Sequence, residues 1–213
     1  MMKRISPAVL LLCLAAFSLW GEDTFTFQAQ KTEVVLAKGK EHTMLTGNAQ
    51  VVSRSFTLTA DTIELFGEDF SLVTCSGGVK AIDQEKGIIL TCEKLFYDRK
   101  KDLIRIETYA EMQDQKNAMI IKGGYFEHRN AEDTTIIQIG VRILKEDMAC
   151  RSEFARYNRE TEVLELSGMP YVRYKGDDYR ASRIVIDLKT DEIKLEGSVS
   201  GTVTQKEEEK PPE

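Results

Sequence analysis

The sequence predicts an all-β domain of stacked antiparallel hairpins, on three observations. An apolar motif recurs about every 30 residues from Leu45 to Gly201, a period typical of units that bury a core only by stacking. Within each unit apolar and polar residues alternate, the mark of half-buried strands. The chain has only four prolines, and of these Pro170 alone falls inside the repeat, so little interrupts a hydrogen-bonded ladder.

Taken in order, six short segments each end at an equivalent small or turn position. They are Leu45-Thr46-Gly47, Val73 to Gly77, Ile104 to Thr108, Ile137 to Gly140, Leu164 to Gly168 and Ile193 to Gly197. Ile104 and Ile106, Leu164 and Leu166, and Ile193 and Leu195 mark the apolar side of their strands. Each is preceded by a second alternating run, such as Asp61 to Leu65, Glu93 to Tyr97 and Arg183 to Ile186. The polar connections between paired strands open on Asp98, Asn158 or Asp187, whose side chains suit turns that bond back to the backbone. Gly77-Gly78 and Gly123-Gly124 read as bulges or bends. No segment carries a helical stripe. The first strand, Thr24 to Gln28, and the last, Gly197 to Val203, leave unpaired edges; Phe25, Phe27, Val199 and Val203 are their apolar residues.

Residues 1–21 read as a secretory signal peptide: Lys3 and Arg4, then an apolar run from Ile5 to Leu19. Cleavage after Ser18 or Gly21 fits, and an uncleaved membrane anchor is the alternative, although the run is shorter than the roughly 20 residues of a spanning helix. Residues 22–203 form one domain, and residues 204–213 a charged, low-complexity tail expected to be disordered. Loss of Lys3 and Arg4 takes the formal net charge from −6 to −8. An acidic chain with no basic cluster is a poor partner for nucleic acid or an anionic membrane surface. Beyond the leader, Cys75, Cys92 and Cys150 are an odd set. Buried thiols are the plainer reading, and a Cys75–Cys92 disulfide the alternative.

The chemical inventory points away from an enzyme. His42 and His128 have no ligand partner at useful spacing and read as solvated loop residues. The acid pairs Glu68-Asp69, Asp177-Asp178 and Asp191-Glu192 read as hairpin tips. No nucleophile motif or phosphate loop appears, so no cofactor and no metal are expected. Lys38, Lys40 and Arg54 read as solvated charges, with phosphate headgroup contact as the alternative.

The order and spacing of these pieces resemble the LptA/OstA family of periplasmic lipopolysaccharide-transport proteins. The resemblance is carried by Leu45 to Val51, Leu58 to Ile63, Cys75 to Val79, Cys92 to Asp98, Leu164 to Pro170, Ala181 to Leu188 and Ile193 to Val199. The stretch around Gly123 to His128 departs from the pattern, and a longer polar segment, Arg129 to Thr134, follows it. The resemblance implies a single OstA-like β-jellyroll with an open apolar groove for acyl chains. Leu45, Ile63, Leu65, Val73, Cys75, Leu95 and Tyr97 would line that groove from the first units. Ile104, Ile106, Leu164, Leu166, Ile184 and Ile186 would continue it. It further implies a lipopolysaccharide or related glycolipid cargo, partner bridge proteins at the two membranes, and head-to-tail self-association. An LptC-like anchored protein, a fully packed envelope scaffold and a β-fold carbohydrate-active enzyme are the rival readings.

Overall fold

The computed structural model describes residues 26–203, and they form an all-β fold. Residues 1–25 and 204–213, which hold the leader, Phe25 and the charged tail, lie outside the described residues. The strands are β1 (Thr26–Gln28), β2 (Lys31–Val35), β3 (His42–Val52), β4 (Phe56–Phe66), β5 (Leu72–Asp83) and β6 (Ile88–Asp98). There follow β7 (Leu103–Ile106), β8 (Ala110–Asp114), β9 (Met119–Gly123), β10 (Tyr125–Arg129), β11 (Thr134–Lys145) and β12 (Met148–Asn158). The last six are β13 (Val163–Ser167), β14 (Tyr171–Tyr174), β15 (Asp177–Arg180), β16 (Arg183–Asp187), β17 (Glu192–Glu196) and β18 (Ser200–Thr202). Two short 3-10 turns, Glu68–Phe70 and Asn130–Glu132, are the helical elements described.

Every pairing is antiparallel, as the hairpin pattern predicts, but at three of the repeat's six end positions the strand does not end. Strands β3, β5 and β11 run straight through them. Gly47-Asn48 lies opposite Asp61 alone, Gly77-Gly78 opposite Glu93, and Ile139-Gly140 opposite Glu153. Each is a β-bulge, one extra residue that bends the strand. At the equivalent positions near 108, 168 and 197 the strand breaks for three residues and resumes, as between β7 and β8, β13 and β14, and β17 and β18. Pro170 sits in the second of these gaps, where no ladder N–H is required. A bulge, unlike a hairpin turn, keeps both flanking ladders paired, which alternation alone does not distinguish from two separate strands.

The bends split the sheet into two arms joined along one long edge, the spine. One arm contains β1, the second half of β3, the first half of β4, the second half of β5, the first half of β6, then β8, β9, the second half of β11, the first half of β12, β14, β15 and β18. The other contains β2, the complementary halves of those long strands, and β7, β10, β13, β16 and β17. The first is called the A arm and the second the B arm. Apolar residues of both arms form one contiguous core.

The repeat's glycines follow from the spine. Gly77 has φ +79°, and a Cβ there would lie 2.3 Å from Asp61 Oδ2 on the neighbouring strand. Only glycine combines that backbone with that approach. The tips also match their chemistry: Asp98 Oδ1 accepts the Lys101 N–H at 3.1 Å, Asn158 Oδ1 that of Thr161 at 2.8 Å, and Asp187 Oδ1 that of Lys189 at 2.9 Å.

Three expectations need correction. His42 and His128 stand on strands rather than in loops. His42 Nε2 lies 2.8 Å from Glu64 Oε1, and His128 Nδ1 lies 2.9 Å from Thr135 Oγ1. Only 21% of the His128 side chain is exposed, because the neighbouring tips fold over it. Asp177-Asp178 opens β15 rather than forming a bare turn, and Tyr171 donates to Asp178 at 2.6 Å. Last, the Gly123 to His128 segment keeps the pattern: Gly124 N–H reaches the Gln138 and Ile139 carbonyls, and β10 pairs with both β7 and β11.

Candidate functional site

Strand register turns the alternation into rows that cross the whole molecule. On the B arm, Leu45 pairs with Ile63, Ile63 with Cys75 and Cys75 with Leu95. On the adjoining strand β7 the row continues as Ile106, then Phe126, Ile137 and Ala155, and it ends as Leu166, Ile184 and Leu195. A second B-arm row lies one pair further from the spine. It holds Leu65, Val73, Tyr97 and Ile104 at one end and Leu164, Ile186 and Ile193 at the other. Between them it turns polar, with His128, Thr135 and Tyr157.

All thirteen residues expected to line the groove face the core, and all thirteen are on the B arm. The facing wall went unread. It runs Phe27, Val51, Leu58, Ala81, Leu90 and Met112, then Ile121, Ile143, Cys150, Val172 and Tyr179. The signal was present in the sequence. Alternation runs unbroken through each bulge, as in Leu45, Ala49 and Val51 or Val73, Cys75, Val79 and Ala81. It shifts its phase by one residue on the facing strand instead, from Leu58 and Ala60 to Ile63 and Leu65 and from Leu90 and Cys92 to Leu95 and Tyr97, so counting through the glycines recovers the row.

The resemblance implies an open groove, whereas the structure shows the two walls face to face. Ile63, Cys75, Leu164 and Ile184 are fully buried. Burial likewise pushes the Cys75 thiol up to about 12 and the Cys92 thiol up to about 11, and both are free. Neutral thiols at this depth serve as small apolar side chains.

Opposite the spine lies the mouth, where the tips of the arms meet. At its middle, Asp114 of the A arm is 1% exposed. Arg159 of the B arm donates from Nε to Asp114 Oδ2 at 3.0 Å and from Nη2 to the Lys86 carbonyl at 2.6 Å. Asn117 donates to the Tyr157 hydroxyl at 3.0 Å, and that hydroxyl donates to Asp114 at 3.3 Å. Lys86 Nζ reaches Asp133 Oδ1 at 3.3 Å. Burial, then the Asp114 charge, raises the Tyr157 pKa; burial, then the Lys86 charge, lowers that of His128. Further along, Lys145 donates to the Leu188 carbonyl at 3.4 Å and Tyr174 to Asp191 at 2.9 Å.

The two ends are bare. Strands β1, β2 and β18 are exposed throughout. Phe27 is 49% exposed, and Val34, Val35, Leu36, Val199 and Val203 are exposed apolar residues near the ends. A cleft of about 390 Å³ beside β1 is lined chiefly by polar groups, including Gln28, Gln50, Thr59 and Asp61, with Ala60 as its one core residue. Among the described residues no group of three His, Cys, Asp or Glu is placed to hold a metal, and no helix is long and apolar enough to cross a membrane.

Comparison with known proteins places this architecture. Among solved structures, LptH, the LptA-homologous periplasmic component of the conserved lipopolysaccharide transport device from Pseudomonas aeruginosa, aligns at 12% identity and a TM-score of 0.26, over 86% of this chain and 97% of that one. Comparison with curated protein sequences gives no match. The model of the LptA/(LptD N-terminal domain) LPS transport protein family matches residues 26–192, from the first edge strand to the start of β17, and with most of its length so matched the chain belongs to that family.

Proposed function

We propose that this protein is a periplasmic carrier or bridge for lipopolysaccharide or a related envelope glycolipid. It holds acyl chains between its two arms, leaves the sugars in water and has no catalytic step. The observation that carries this reading is the pair of apolar rows that cross the strands from one end to the other. A row that runs between bare edges is continuous with that of a stacked copy. Burying one acyl methylene contributes about 0.8 kcal/mol, so a chain of a dozen carbons supplies on the order of 10 kcal/mol before the costs of binding. Acyl chains enter by parting the arms, since the walls touch in the closed state. The leader-like residues 1–21 support export, and an uncleaved leader would give the LptC-like anchored form.

Stacking proceeds by strand addition at the ends. The exposed β1 and β2 of one copy meet β18 and β17 of the next, together with partner proteins at the inner and outer membranes. If Phe27→Pro leaves concentration-dependent self-association unchanged in sedimentation, that edge is not the contact.

Burial of most of the wall residues favours a second reading, a packed envelope scaffold that binds nothing. Native mass spectrometry with lipid extraction, on protein purified from its own envelope, separates the two. Co-purifying glycolipid that a folded Ile106→Glu variant loses establishes the carrier. A clean apo mass that takes up no added lipid A establishes the scaffold.

A further inference from the structure

We infer that the polar cluster at the middle of the mouth is a gate whose opening sets the rate at which lipid enters between the arms. The inference rests on the carrier reading. The backbone bonds between tips described here stay within one arm, as from Gln115 N–H to the Gly87 carbonyl or from Arg159 N–H to the Asp133 carbonyl. Contacts across the mouth therefore depend on side chains. In the middle they converge on Arg159, which holds Asp114 and the Lys86 carbonyl together, with Lys86–Asp133 and Asn117–Tyr157 flanking it.

The placement is selective. The B-arm row nearest the spine stays apolar through this region, while the row nearest the mouth changes to His128, Thr135 and Tyr157. Tyr157 is fully buried, and Asp114 nearly so, yet both belong to one connected set of hydrogen bonds. Such a set is stable when complete and poorly tolerated when half-made, so it passes between shut and open with little in between. A packed apolar seam would have no comparable switch.

Uptake of fluorescently labelled lipid A, followed by stopped flow, tests the gate. Arg159→Gln is expected to accelerate both uptake and release by about tenfold, with a smaller change in affinity, because a kinetic barrier falls while the walls are untouched. Lys86→Gln, at a partly exposed tip, is expected to give about a threefold change and decides the matter if Arg159→Gln fails to fold. Arg183→Gln is the control: its bonds to Glu165 and Glu196 join strands within the B arm, so the rate should not move. Folded gate variants with wild-type rates overturn the gate and leave the carrier standing. If neither wild type nor variants take up lipid A, the carrier reading falls and the gate with it. Uptake by Arg159→Gln alone supports both.

Discussion

The two long edges of the molecule are closed by opposite means. Along the spine the backbone passes from arm to arm, through bulges at Gly47-Asn48, Gly77-Gly78 and Ile139-Gly140 and through short strand breaks elsewhere. Along the mouth the chain turns back within its own arm, and the arms meet through side chains. One edge therefore belongs to the folded state as such, while the other can open without a single strand pair being lost. A change at the spine should unfold the protein, and a change at the mouth should loosen it.

The largest expected effect is at the spine. Gly77→Val places a β-branched side chain at φ +79°, with its Cβ 2.3 Å from Asp61 Oδ2, and should cost about 3 kcal/mol or more; a normal denaturant midpoint would show that the bend tolerates a side chain. Next is the mouth: Arg159→Ala leaves the buried Asp114 without its cation and should cost about 2–3 kcal/mol. Unlike the spine variant, it should keep a cooperative transition and native-like circular dichroism. Loss of cooperativity would mean that the mouth also belongs to the folding unit.

A smaller effect, of opposite sign, tests the one bulge whose first residue is not glycine. Ile139 has φ +67° and is 65% exposed, a conformation that β-branched residues disfavour. Ile139→Asn should stabilise by about 1 kcal/mol in thermal unfolding; destabilisation would assign the isoleucine a packing role.

The smallest effect concerns pH at the mouth. Burial lowers the His128 pKa below its ordinary 6.5, so the fold favours the neutral ring. Its contribution is complete above pH 6.5 and is lost as pH falls through the folded value, at under about 1.4 kcal/mol per pH unit. Lys86 disfavours protonation, while Asp133, Asn130 and Asp102 favour it. His128→Gln should flatten that acid limb, and an unchanged limb would place the titrating group elsewhere.

Much of this was legible in the residues. Period-two alternation found the strands, and the Asp and Asn positions found the tips, because both are local signals. The B-arm wall was legible for the same reason. The A-arm wall was hidden by a phase shift of one residue on the strand facing each bulge, as between Ala60 and Ile63 or Cys92 and Leu95, which looks like a strand end unless the partner strand is known. The mouth was the least legible. Arg159 and Asp114 lie 45 residues apart and meet only when the arms close, and His128 resembled any loop histidine until the tips around it were in place.

The alternation along the spine has one further consequence, in parity. Plain bends alternate with bends that carry extra residues, as a bulge or as a three-residue break, from the plain bend at Gln30 to the break between β17 and β18. The described residues thus open on one kind of bend and close on the other. A copy added tail to head continues the sequence without a fault, whereas two like ends would set matching bends side by side. Growth in whole repeats also means growth in strand pairs, about 9.5 Å at a time. The molecule is a ruler with a direction, whose graduations are written in its glycines.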